Sequence, residues 1–129
     1  QGNKIGVMLA LNCETDFVAN TPDFEGLVRD IAMHIAAAKP RFATREEVTE
    51  EILAKEREIF AHQAKESGKP DNIVEKIVTG KMEKFYEENC VLEQAFIKDN
   101  SVSVGELIKQ KIALLGENIN IGNFSRFEI

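Results

Sequence analysis

Thiols, imidazoles and carboxylates are the side chains that could do chemistry, and this chain groups few of them usefully. Cys13 stands beside Glu14 and close to Asp16, which would suit an acid–thiol hydrolase. Neighbouring carboxylates, however, disfavour the thiolate that a cysteine nucleophile needs. Cys13 therefore reads as a core residue at the end of a strand. The second cysteine, Cys90, is far away in sequence. Neither has a ligand neighbour at zinc spacing, and two cysteines make no disulfide framework, so reduced thiols of a cytosolic protein are expected. His34 and His62 fall on different predicted helices. The eight glycines are scattered and form no phosphate-binding loop. No cofactor, no metal and no enzymatic reaction are expected from these residues. What remains is Phe17, an aromatic between Asp16 and Val18 where a polar turn would be normal. Such a residue is either folded back into the core or offered to a partner.

Composition narrows the partner. The 129 residues suffice for one domain with one core. A formal net charge of −6 argues against a nucleic-acid backbone as partner, since that calls for a clustered basic face. Apolar content of 43% and charged content of 29% are ordinary for a globular chain. No apolar run approaches the roughly 20 residues of a membrane span, and no signal-peptide pattern is present, so no membrane partner is expected. The chain starts at Gln1, just before a strand and without an initiator methionine, as a fragment or processed form would.

The elements that must position Phe17 can be read in order. Residues 5–11 are apolar nearly throughout, which predicts a strand buried on both faces. Asn12 to Thr15 breaks the run, and Thr15 can cap a short turn with Asp16 in its first positions. Thr21-Pro22 opens a helix over 22–39, with Phe24, Leu27, Val28, Ile31, Ile35 and Ala38 on one face and Lys39-Pro40 as its stop. His34 lies at the edge of that stripe. Met33 lies on the opposite face beside Ala36 and Ala37, which suggests a second contacted face. Thr44-Arg45-Glu46-Glu47 has a capping-box pattern and predicts a helix to Glu66. Ser67-Gly68-Lys69-Pro70 stops it and starts another over 71–88. Both carry thin apolar stripes, so residues 46–89 read as an antiparallel helical hairpin that projects from the body. Val91 to Ile97 is a short strand candidate, ending in a polar loop at Lys98-Asp99-Asn100. Ser103 to Glu106 is a second capping box before a helix that ends at Gly116. From Asn118 to Ile129, odd positions are apolar at 119, 121, 127 and 129, with Gly122-Asn123 as a hairpin turn or a bulge.

The expected fold class is α+β, with a small, mostly antiparallel sheet of about three strands packed with helices, plus the hairpin. Met8 and Ala10 point opposite to Val7, Leu9 and Leu11. Both sets are apolar, so the second sheet face needs a cover. A homodimer packing sheet on sheet supplies one; long helices wrapping both sides would be the alternative.

The words themselves point further. Ile5-Gly6-Val7-Met8-Leu9-Ala10-Leu11-Asn12-Cys13-Glu14-Thr15-Asp16-Phe17-Val18-Ala19 closely resembles the signature of the translation elongation factor Ts family, the guanine-nucleotide exchange factors of elongation factor Tu. Asp30-Ile31-Ala32-Met33-His34-Ile35-Ala36-Ala37, Gly68-Lys69-Pro70 with Glu75-Lys76-Ile77-Val78, Leu115-Gly116-Glu117-Asn118-Ile119, and Arg126-Phe127-Glu128 resemble the same family in the same order. The resemblance spans the whole chain. It implies that 1–129 is the family's core (dimerisation) region in its short, single-copy form, without the amino-terminal three-helix domain. Two chains would then pair to rebuild a two-subdomain surface. It implies a factor that binds Tu during translation elongation and promotes GDP release by disturbing its Mg²⁺ and phosphate site. The alternative is a structural dimerisation module without exchange activity in this truncated form. Thr15, Asp16, Phe17 and Val18 would be the segment that intrudes at the nucleotide domain of Tu. His34, with Met33, would make a second contact. A bacterial cytoplasm is the implied location, with an organelle matrix or stroma as the alternative. Two departures from the family pattern stand out: Gly122-Asn123 stand where many members have paired arginines, and Ala95 stands where proline is usual.

Overall fold

The computed structural model describes residues 4–129. Gln1 to Asn3, on which the reading of a processed start rests, lie outside the described residues. Strand β1, Ile5–Asn12, leads through a one-turn helix, α1 (Asp16–Ala19), into α2 (Pro22–Ala38). Helices α3 (Glu50–Glu66) and α4 (Asp71–Asn89) follow, then β2 (Ala95–Phe96), β3 (Asp99–Ser103), α5 (Val104–Leu115) and β4 (Asn120–Glu128). The α+β class expected from the sequence is the one observed.

Among the described residues the strands form two separate antiparallel ribbons, β1–β4 and β2–β3, rather than one three-stranded sheet. The reason is local. Two residues, Ile97 and Lys98, separate β2 from β3, so the pair closes as a tight hairpin, with Ala95 opposite Ser103 and Phe96 opposite Asp99. The loop expected at Asp99-Asn100 is thus the start of a strand. Chain ends make the other ribbon: Ile5 faces Glu128 and Asn12 faces Asn120. Its register slips by one residue between Leu9–Phe124 and Leu11–Ile121, which places a bulge at Gly122-Asn123. Of the two readings of that dipeptide, the bulge is the one observed. A Cβ on Gly122 would lie 3.1 Å from Asn12 Nδ2 and 3.3 Å from Ala10 Cβ, so the bulge brings the strands close there.

One side of the β1–β4 ribbon carries Val7, Leu9, Leu11, Ile121 and Phe124 against the main core. That core is built from Phe24, Leu27, Ile31 and Ile35 of α2, Val104 and Ile108 of α5, and Val18, Val91, Phe96 and Ile119. Helix α2 starts where its sequence says, with Thr21 Oγ1 accepting from Phe24 N at 3.2 Å. It ends on Lys39 in the left-handed region at φ 53°. Arg126 of β4 donates to the Ala36 carbonyl at 2.9 and 3.0 Å, capping that end of the helix with a cation. The Ser103 capping box forms in full, its Oγ accepting from Glu106 N and the Glu106 carboxylate from Ser103 N.

The hairpin differs from expectation at its start. Thr44 makes no side-chain cap, and Arg45–Glu47 form a 3-10 turn. The Glu47 carboxylate accepts from Ala43 N, not from Thr44 N. Helix α3 begins five residues later, where Thr49 Oγ1 accepts from Ile52 N at 3.3 Å. Arg45 is drawn instead into a bidentate pair with Glu93 (2.5 and 2.8 Å), a looser one with Glu83, and a stack over the Tyr86 ring at 4.2 Å. This fixes the base of the hairpin. Along its length α3 and α4 bury their own small core of Ala64, Val74, Val78 and Met82.

Candidate functional site

The stretch after β1 is built to hold Phe17 outward. Beyond Asn12 the ladder to β4 ends. The backbone N–H groups of Glu14 and Thr15 would then lack strand partners. The Glu117 carboxylate supplies them: its Oε1 accepts from Glu14 N at 3.1 Å and from Thr15 N at 3.0 Å. Its Oε2 accepts from the Thr15 hydroxyl at 2.5 Å. Glu14 answers in the other direction, its Oε2 accepting from Asn118 N at 2.6 Å. One step back, Asn12 Nδ2 donates to Asn120 Oδ1 at 3.0 Å. Side chains thus continue, strand to strand, what the backbone ladder stops doing.

Thr15 then caps α1. Its backbone is extended (φ −135°, ψ 156°), and its Oγ1 accepts from Val18 N at 3.3 Å. Asp16 sits in the first turn, where a carboxylate suits the helix dipole. The turn closes on Thr21, whose hydroxyl donates to the Val18 carbonyl at 2.7 Å. In a helix, successive side chains point about 100° apart, as 3.6 residues per turn requires, so anchoring one turns its neighbour away. Val18 is buried at 9% exposure; Phe17 stands 89% exposed. Burying a phenylalanine is worth about 1.5–3 kcal/mol, and this fold forgoes that gain at Phe17. Of the two readings, core or partner, the structure excludes the core. Cys13 packs against the main core and its Sγ donates to Thr15 O at 3.3 Å, as a structural thiol would.

The second pair of expected residues divides. Met33 is 51% exposed on α2. His34 is completely buried: no part of its side chain reaches the surface of this chain. The helix stripe is wider than the apolar pattern showed, and β2 with the following loop covers its edge. Ile97 N donates to His34 Nδ1 at 3.3 Å, which leaves Nε2 as the protonated nitrogen, donating to Gln94 Oε1 at 2.8 Å. Gln94 Nε2 donates in turn to the Glu88 carbonyl at 2.7 Å. The chain of bonds links α2 to the end of α4 and keeps the imidazole neutral. Met33 lies about 16 Å along the helix from Pro22, so Phe17 and Met33 belong to separate patches.

Burial holds the His34 pKa below its ordinary 6.5, against the raising effect of the Gln94 bond. A second ring proton would face the Ile97 N–H, donor against donor. The unfolded chain therefore binds a proton as pH falls through 6.5 and the folded chain does not. Stability is full above that pH and falls below it, by up to ~1.4 kcal/mol per pH unit, until the lower folded pKa is reached. Thermal melts between pH 7.5 and 5.5 should show this loss, and His34→Gln should be less stable at neutral pH yet flatter across the range. An unchanged slope in the variant would remove His34 from the acid response.

Sequence reasoning found the turn but not what holds it. Glu14 and Glu117 both stood in the family-like words without a role. Gln94 had no signal at all. Among the described residues no three His, Cys, Asp or Glu side chains gather as a metal site would require, and no helix is long and apolar enough to cross a membrane.

The fold and site define a class: an α+β protein that presents one exposed aromatic on a rigid, side-chain-strapped turn. The family description "Elongation factor TS" matches residues 1–129. Proteins named elongation factor Ts from Moorella thermoacetica and Carboxydothermus hydrogenoformans are 55% and 56% identical over 128 residues, which is 99% of this chain and 63% and 59% of theirs. One from Koribacter versatilis is 56% identical over 128 residues, 99% of this chain and 58% of its own. The chain belongs to the elongation factor Ts family. It spans about three fifths of the length of the curated relatives it matches.

Proposed function

We propose that this chain binds elongation factor Tu and promotes GDP release from it, with the Phe17 turn as the inserted element. The observation that carries the reading is an almost fully exposed phenylalanine on a turn fixed at both ends. GTPases hold GDP partly through a Mg²⁺ ion that bridges phosphate oxygens and protein side chains. An apolar ring placed beside the phosphate-binding segments disturbs that ion. The phosphate charge is then less well compensated and the nucleotide leaves. Reciprocity follows: the factor binds empty Tu best, and GDP or GTP displaces it. Thr15 and Asp16 shape the turn, Val18 anchors it, and Met33 offers a second contact. His34 serves beneath that contact as a buried brace.

The reading includes a homodimer through the β1–β4 ribbon, with residues 1–129 as the core (dimerisation) domain. A two-stranded ribbon is marginal alone, and only its inner side meets the core. On the outer side Met8 is 72% exposed, Phe127 61% and Ile129 87%, with the small residues Gly6, Ala10 and Ser125 among them. A second copy laid on that face buries these side chains and brings two Phe17 turns into one particle. The setting for such a factor is a bacterial cytoplasm.

Mixing the chain with Tu loaded with a fluorescent GDP analogue, and following release by stopped flow, tests the reading. Faster release in proportion to added chain is expected. Binding to Tu without faster release would leave the alternative, a dimerisation module without exchange activity.

A further inference from the structure

We propose that Glu117 is the positioning residue of the exchange element. By accepting three hydrogen bonds from Glu14 and Thr15, its carboxylate sets the direction in which Phe17 is presented. The inference rests on the exchange reading above.

The argument is one of place and redundancy. Glu117 lies in the short connection between α5 and β4, held between the Gly116 cap of the helix and the buried Ile119, and so outside the turn that bears Phe17. Its two oxygens take up the Glu14 N–H, the Thr15 N–H and the Thr15 hydroxyl, at 3.1, 3.0 and 2.5 Å. Those groups immediately precede the helix that bears Phe17, so they fix where that helix starts and how it is rolled. Hydrogen bonds to an ionised acceptor are short and strong, and three on one carboxylate leave little angular freedom. The Glu14 carboxylate returns a bond to Asn118 N, so the two segments are tied in both directions.

Glu14 and Thr15 are exposed, so water can replace the lost acceptor. Val18 remains buried in the core and Thr21 still closes the turn. Removing Glu117 therefore frees the turn without unfolding the protein. The group acts on the partner only through Phe17, and that is what separates it from an ordinary structural residue.

The experiment is a double-mutant cycle on stimulated GDP release, with Glu117→Ala and Phe17→Ala alone and together, and a thermal melt of each. Glu117→Ala is expected to lower stimulated release by about tenfold, the worth of one charge-assisted hydrogen bond lost in the complex, with a melt close to that of the parent. Added to Phe17→Ala it should lower release no further, since there is no ring left to aim. Glu117→Gln keeps an acceptor for the two backbone N–H groups and should recover most of the loss. Should Glu117→Ala fail to fold, the same cycle with Thr15→Val, which removes the hydroxyl that Glu117 holds, carries the test, and its loss should again vanish in the Phe17→Ala background. Full release by folded Glu117→Ala, or a further loss in the Phe17→Ala background, overturns the proposal. Full release by Phe17→Ala itself overturns the exchange reading instead, so the two failures are told apart.

Discussion

Phe17→Ala is expected to lose nearly all stimulated GDP release while melting like the parent protein. The two halves of that result come from the same number. At 89% exposure the ring contributes almost nothing to the folded core, so its truncation leaves the fold's balance untouched. Alanine is also at least as good a helix former, so α1 does not suffer. On the partner's surface the same ring would be an aromatic anchor, and such anchors cost 2 kcal/mol or more when truncated, about thirtyfold in the rate they support. If the ring acts in release, as proposed, the loss should fall mainly on release and less on binding to empty Tu. Stopped-flow release beside thermal melts and a binding titration distinguishes these. A variant that unfolds, with normal exchange per folded molecule, would end the wedge reading.

Met8→Glu is the second large effect. Met8 stands in mid-strand on the uncovered side of the ribbon, opposite Ser125 and flanked by Gly6 and Ala10. In a sheet-on-sheet dimer it lies near the centre of the contact, where a carboxylate would be buried without a partner and, by symmetry, close to its own copy. Taking a charge out of water unpaired costs several kcal/mol, enough to move a micromolar dimer to monomer. In a lone chain the same change adds a charge to an exposed position and should cost little. Sedimentation at micromolar concentration should show the parent as a dimer and the variant as a folded monomer. A parent that sediments as a stable monomer would refute the dimer, and with it any need for a second turn in the particle.

Much of this was legible in the sequence, and the parts that were not share a cause. Thr21-Pro22, the Ser103 box, the apolar first strand and the alternating last one all use local rules, and all appear at the positions read. The first strand, however, expected to be buried on both faces, leaves Gly6, Met8 and Ala10 exposed, because the ribbon has only one side against the core. Thr44 and Thr49 are both threonines followed by glutamates, and local pattern cannot choose between them. The choice is made by Arg45, which Glu93, Glu83 and Tyr86 hold from distant parts of the chain. Strand β3 is almost wholly polar, so it carries no apolar period; it exists because β2 offers it backbone partners across a two-residue turn. The site divides in the same way. Phe17 could be singled out as an aromatic in an odd place. Its aim is set by Glu117, some hundred residues on, through contacts that only the fold brings together. The burial of His34 was not legible because Gln94, which bonds to it, is a polar residue in a segment with no pattern to predict its own burial.

The hairpin's attachment has one more consequence. The chain leaves the body at Phe42 and returns at Cys90, and the two lie side by side in a parallel bridge, with Arg41 N and Phe42 N both donating to the Asn89 carbonyl. Everything between is, in topology, an insertion whose ends already touch. The body is then a protein in two pieces, before 42 and after 90, that a few residues could join. Natural variation in the length of the arm need not disturb the turn or the ribbon. The length of the hairpin and the aim of the aromatic are written in separate stretches of sequence, free to change at different rates.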